Sequence, residues 1–264
     1  MSATTPTRKE RRDLARRERL AREQAAAAAA ARRRRLTRLG AVAGVALVAV
    51  VALVAISSSG KGAGSGTRAA GTPSAPVNGA SASAAMLSGI PQHGITLGDP
   101  KAPVRVVEFA DLQCPFCRDY AVDVLPGIVQ KYVRPGKVRM DFRTLAFIGP
   151  DSERAGRVAE AAAQQNRLWN LADLVYLNQG KENSGYATDA YLRRIAGAVP
   201  GLDTAKVFAA RDGAAVSSGL KAASDLATAS GVNETPTFLV GRGTALKAVD
   251  AAGLPAAIKA AVGS

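Results

Sequence analysis

Of the chain's 264 residues, only two are cysteine, one is histidine and one is tryptophan. Two cysteines exclude a disulfide-stapled miniature fold and any four-cysteine zinc or iron–sulfur site. A single histidine, His93, rules out histidine-rich metal centres and makes a serine–histidine–aspartate triad a poor reading. It stands alone at the end of a polar stretch and is given no role.

Acidic residues are also scarce at one end. The chain carries a net charge of +14, but residues 1–38 hold thirteen Lys and Arg against four acids, a net of +9. From residue 98 onward the excess is only +3. The basic tail contains no aromatic residue and no recognition motif, so nucleic acid is not an expected partner.

Polar residues are absent from the next segment. Gly40 to Ile56 is built only from Gly, Ala, Val, Leu and Ile, seventeen residues in all. As a helix it spans roughly 25 Å, at the short end for a membrane crossing, and it lacks the polar face of a soluble core helix. Arg32 to Arg35 and Arg38 stand immediately before it. The positive-inside rule therefore places the N-terminus in the cytoplasm and the remainder outside. The expectation is a basic cytoplasmic tail (1–38) and a single signal-anchor transmembrane helix (39–56), held in lipid through residues 40–56. That makes a single-pass protein of the cell membrane with its catalytic domain extracytoplasmic. Ala55-Ile56-Ser57 is a mediocre cleavage site, which favours an uncleaved anchor.

Residues 57–94 are mostly Gly, Ser, Ala, Pro and Thr, read as a flexible linker with a span of roughly 35 Å. The folded domain is expected over 95–264. Val104 to Ala110 is β-branched and apolar and predicts a central strand. A helix follows from Arg118, interrupted by Pro126. Val138 to Arg143 predicts a second strand. An Ala-rich helical block covers about 151–177, with further helices at 188–198 and 204–230. Thr237 to Val240, a short segment near 245–249 and a helix at 254–262 close the chain.

The chemistry gathers at Cys114-Pro115-Phe116-Cys117. Two cysteines separated by two residues on a first helical turn can close a disulfide without unwinding the helix. Cys114 at the helix N-terminus meets unpaired N–H groups and the positive end of the dipole, which favour its thiolate. Cys117, one turn further in, is expected to be buried and to serve as the resolving thiol. Pro115 suits a first helical position, where its missing N–H costs nothing. Zinc would need two more ligands and haem attachment a histidine where Arg118 stands, so neither metal nor any other cofactor is expected. Glu108, on the strand face shared with Val104 and Val106, could take a proton from Cys117. Pro236 opens an apolar strand and is compatible with a cis peptide; that turn would present the Thr235 backbone to an extended substrate.

GITLGDPKAPVRVVEFADLQCPFC (94–117) and GVNETPTFLVG (231–241) resemble the DsbA-like thiol–disulfide oxidoreductases of the thioredoxin superfamily, above all the membrane-anchored versions of Gram-positive bacteria and actinobacteria. The resemblance implies an α/β thioredoxin-like fold with a helical insertion at about 147–211. It implies Cys114 as nucleophile, Cys117 as resolving cysteine, Pro236 as the facing cis-proline and Glu108 in the buried-acid position. Pro115, Phe116 and Thr235 fall where substrate is bound. Strong oxidases of the family often carry Pro-His between the cysteines; Phe116 cannot donate that hydrogen bond, so a milder oxidant is expected.

The function expected is extracytoplasmic disulfide introduction into exported proteins with cysteines. Reoxidation would come from a quinone-linked membrane partner resembling DsbB or the vitamin K epoxide reductases. Related isomerases dimerise through a separate N-terminal domain, and a linker stands in its place here, so a monomer is expected. Disulfide reduction or isomerisation, for exported proteins or cytochrome maturation, is the alternative. A tethered interaction module with incidental cysteines is a third.

Overall fold

The computed structural model describes residues 76–263. The basic tail, the apolar segment at 39–56 and the linker up to residue 75 lie outside the described residues. Among the described residues, no helix is long and apolar enough to cross a membrane.

The last part of the expected linker is folded. Ala80–Leu87 forms helix α1, and Gln92–His93 (β1) pairs antiparallel with Thr96–Leu97 (β2). The segment looks like linker because only Ser83 and Leu87, one turn apart, are buried on α1. Ala and Leu are good helix formers, but eight residues are too few to hold a helix alone. Contacts distant in sequence hold it instead. The Arg134 guanidinium donates to the carbonyls of Met86 (2.8 Å) and Ser88 (3.0 Å). Leu87, 3% exposed, enters the main core, and a fully buried leucine contributes about 1.5–3 kcal/mol.

β3 (Val104–Ala110) is the central strand, with the bounds expected of it. It runs parallel to β4 (Val138–Thr144) and antiparallel to β5 (Thr237–Arg242). β6 (Ala245–Asp250) completes a sheet of order β1-β2-β4-β3-β5-β6. A strand buried on both faces needs no alternation of apolar and polar residues. One face of β3 presents Val104, Val106 and Ala110 to the larger core. The other presents Val107 and Phe109 to a smaller cluster with Leu239 and with Ala223 and Ala227 of a helix described below.

Between β3 and β4 runs α2 (Pro115–Asp123), then α3 (Leu125–Ile128) and one π-helical turn at Val129–Val133. The expected interruption at Pro126 thus falls two residues earlier, at Val124, because proline is accommodated in the first turn of α3. The helical insertion between β4 and β5 comprises α4 (Pro150–Ala163), α5 (Leu168–Leu177), α6 (Asp189–Gly197), α7 (Thr204–Ala210) and α8 (Ala214–Ala229). The Ala-rich block is therefore two helices, divided at Asn166 with φ +57°. α9 (Leu254–Gly263) packs on β5 and β3 through Leu254 and Ile258. The architecture is an α/β thioredoxin-like fold with a helical insertion.

Candidate active site

β3 ends at Ala110 and aims the chain at the insertion. Four residues on, Cys114 caps α2 in extended conformation (φ −68°, ψ 122°), with Pro115 opening the helix. The Cys114 carbonyl accepts from the Arg118 amide at 3.1 Å, the first bond of the helical ladder. Cys114 and Cys117 are both free thiols, and both are buried. Phe116 between them is 70% exposed, so the rim of the site is apolar and open to solvent.

The Thr235–Pro236 peptide is cis, and it places the Thr235 carbonyl 3.4 Å from Cys114 Sγ, which donates to it when protonated. Residues 121 positions apart thus face one another. Thr235 and Pro236 are half-buried, which leaves this turn reachable beside the sulfur.

The two thiols are driven in opposite directions. Hydrogen bonding from the Cys117 thiol is the largest influence on Cys114; burial opposes it, and the Thr235 side chain and the amides of Cys117 and Phe116 add to it, bringing Cys114 down to about 6. Cys117 is pushed well above the ordinary thiol range, by burial first and then by its hydrogen bond and charge interaction with Cys114. Of the hydrogen bonds that favour the Cys114 thiolate, the one from the partner sulfur comes first and those from the amides at the helix start come last. A thiol that donates to a neighbouring sulfur lets that sulfur keep the charge, and the charged one here is the less buried of the two.

Glu108 shares its face with Val104 and Val106, as its position in the strand requires. It is no half-exposed strand residue, being 1% exposed with Oε2 lacking any hydrogen-bond partner. Burial raises its carboxyl to about 8, so it carries a proton at neutral pH. Tyr120 lies nearby, its hydroxyl also unpartnered and pushed well up by burial and by the Glu108 and Cys117 charges.

A layer beneath the cysteines is invisible to sequence reasoning. Asp111 Oδ1 accepts from the Gln113 amide (2.9 Å) and the Ser152 hydroxyl (2.7 Å), and Oδ2 from the amides of Phe147 and Ile148 (3.2 and 3.3 Å). Gln179 donates to the carbonyls of Leu112 and Cys114, and Tyr176 to that of Asp111. The insertion thereby grips every residue of the loop that presents Cys114. Polar residues at Asp111 and Gln113, just before the first cysteine, are the one local signal of this layer. Its partners lie some 35 to 70 positions away.

The geometry suits thiol–disulfide exchange: a stabilised outer thiolate, a buried partner sulfur, a protonated carboxyl below and an exposed turn beside them. Comparison with known proteins agrees. The family model described as thioredoxin matches residues 91–260. The probable disulfide bond formation protein D of Bacillus cereus is 39% identical over 102 residues, 38% of this chain and 47% of that protein. The chain thus matches about half the length of that curated relative. A thioredoxin-like oxidoreductase from Silicibacter pomeroyi is 31% identical, covering 66% of this chain and 93% of the other with a TM-score of 0.53. Oxidised BdbD from Bacillus subtilis shares the fold, with a TM-score of 0.58 at 23% identity over 65% of this chain and 94% of the other.

Proposed function

Because the chain belongs to the thioredoxin family, we propose that it is a thiol–disulfide oxidoreductase acting through Cys114 and Cys117, and that it introduces disulfides into exported proteins. The observation that carries this reading is the opposition of the two thiols, Cys114 brought down to about 6 and Cys117 pushed well above the ordinary range. An enzyme whose reduced state holds a stabilised thiolate gives up its disulfide readily, which favours oxidation of the substrate. The name of the Bacillus cereus relative points the same way.

In the proposed cycle a substrate thiolate attacks Cys114 Sγ of the Cys114–Cys117 disulfide. The enzyme's S–S bond breaks, a mixed disulfide forms, and Cys117 leaves as a thiolate that takes the proton held by Glu108. The second substrate thiolate then attacks the substrate sulfur of the mixed disulfide, and Cys114 departs as a thiolate. Two electrons pass from the substrate dithiol to the enzyme. Pro115, Phe116 and the Thr235–Pro236 turn receive the substrate chain, whose backbone pairs with that of Thr235. A quinone-linked membrane partner restores the disulfide, and the protein acts as a monomer.

The site is proposed to face the extracytoplasmic side, tethered through residues 39–56. Arg32 to Arg35 and Arg38 before that segment support this orientation. Phe116 between the cysteines favours a second reading, a weaker oxidant or a reductase, since it supplies no further donor to the thiolate.

The reduction potential in a glutathione buffer separates the two. An oxidase lies well above thioredoxin's value of about −270 mV, whereas a reductase lies near it. Cys117→Ser is expected to accumulate mixed disulfides with exported proteins through Cys114. Their absence, or full activity in Cys114→Ser, sinks the redox reading.

A further inference from the structure

Glu108 poses a problem that the cysteines do not solve. Each opening of the disulfide takes a proton from it, yet the side chain is 1% exposed and its Oε2 touches no donor or acceptor. The proton must be replaced from somewhere. A small internal cavity of about 10 Å³ adjoins Glu108, close to the minimum for a water molecule. Its walls include Leu87 of α1, Glu108 of β3, Ala121 of α2, Phe142 of β4, and Asp173 and Tyr176 of α5.

Asp173 is the second carboxyl on that wall. It is 6% exposed, lying nearer to solvent than Glu108 does. Ser83 of α1 faces it and favours its charged form, against the larger opposing effect of burial. Nothing in the catalytic cycle uses Asp173, and a carboxyl buried in a helix–helix seam is costly unless something repays it. Resting on the function proposed above, we propose that Asp173 passes protons between solvent and Glu108 through a water molecule held in this cavity.

The balance is simple. Glu108 gives its proton to the Cys117 thiolate; the water gives one to the Glu108 carboxylate; Asp173 gives one to the water and takes one from solvent. Reoxidation of the dithiol runs the same transfers backwards. Asp173 touches neither sulfur, so it is a positioning residue for the proton rather than a catalytic one. The titratable groups around Glu108 are Cys117 and Tyr120 of α2 and Tyr176 and Asp173 of α5; α1 brings only the Ser83 hydroxyl, and β4 brings Phe142. Burial raises both carboxyls above the ordinary carboxylate range. α1 closes the cavity at Met86 and Leu87, so this short helix is a wall of the proton path.

The test is single-turnover reduction of the oxidised full chain by dithiothreitol across pH 6–9, in light and heavy water. Asp173→Asn is expected to slow reduction about tenfold at pH 7, and Asp173→Glu to recover most of that loss. The Cys114 thiolate titration, read by ultraviolet absorbance, should not move in either variant. A rate for Asp173→Asn within about twofold of the parent, with Glu108→Gln slow, overturns the relay and leaves the redox function standing. Slowing that Asp173→Glu does not relieve overturns it too, since packing then explains the loss. Failure of dithiothreitol to reduce the parent protein overturns the redox function itself, and the relay with it. Should Asp173→Asn not fold, redox-difference infrared spectra of the parent with ¹³C-labelled aspartate decide. A labelled carboxyl band that changes on reduction supports the relay, and change confined to glutamate overturns it.

Discussion

Asn183 and Gln113 hold each other by two hydrogen bonds: the Asn183 amide donates to Gln113 Oε1 at 2.7 Å, and the Gln113 side-chain amide donates to Asn183 Oδ1 at 3.2 Å. Gln113 immediately precedes Cys114, and Asn183 sits in the insertion seventy residues away with φ +55°. A residue held in that conformation is kept there by its surroundings. The pair therefore fixes the residue leading into the active-site helix from outside the sheet.

Gln113→Ala is expected to cost about 1–3 kcal/mol of stability, because it strands the Asn183 amide and part of the Ser152 hydroxyl's environment. Equilibrium unfolding in urea measures it. Loosening the loop should also make the reduced form lose more stability than the oxidised one, since the thiolate depends on fixed donors. Equal losses in the two forms count against that link.

In the reduced protein the contribution of Cys114 to stability should grow with rising pH. The Cys114 thiol, ordinarily at 9.0, lies at about 6 in the folded state. Its contribution is therefore complete above pH 9, fades between 9 and 6, and is gone below about 6. Thermal midpoints of reduced parent and Cys114→Ser should converge near pH 5 and diverge steadily toward pH 9. Parallel curves exclude a stabilised thiolate.

Glu108 runs the other way. Its carboxyl is raised from 4.5 to about 8, so its effect on stability is complete below pH 4.5 and is lost as pH rises through 8. Glu108→Gln should match the parent at pH 4 and be more stable at pH 9, by about 1–3 kcal/mol once local hydration of the carboxylate is allowed for. It should nevertheless slow disulfide opening. Denaturant midpoints at the two pH values test the first statement and reduction kinetics the second.

Leu87→Ala should destabilise the domain by about 2–4 kcal/mol. A linker residue would cost nothing on truncation; a buried wall of the core leaves a void. Urea unfolding of the full chain separates these outcomes.

The strand Val104–Ala110 was readable because its apolar β-branched run is its own signature, and Cys114-Pro115-Phe116-Cys117 because spacing and helix-start chemistry lie within four residues. Pro236 was readable for the same reason, standing at the head of an apolar strand. Helix α1 was not: Ala and Ser say little, and the side chain that fixes it, Arg134, lies 46 residues beyond Ser88. The grip of Gln179 and Asn183 on the active-site loop was equally hidden, since such pairings depend on where the insertion folds back.

The sequence by itself therefore determined what is local: the spaced cysteine pair, the strand and turn that frame it, and the face on which Glu108 stands. Tertiary structure decided what those groups are. Burial made Glu108 a protonated acid at neutral pH, and proximity to Cys117 and Thr235 made Cys114 the stabilised thiolate. Solvation and neighbouring charge set a proton's affinity, and both depend on which distant segments close over the site.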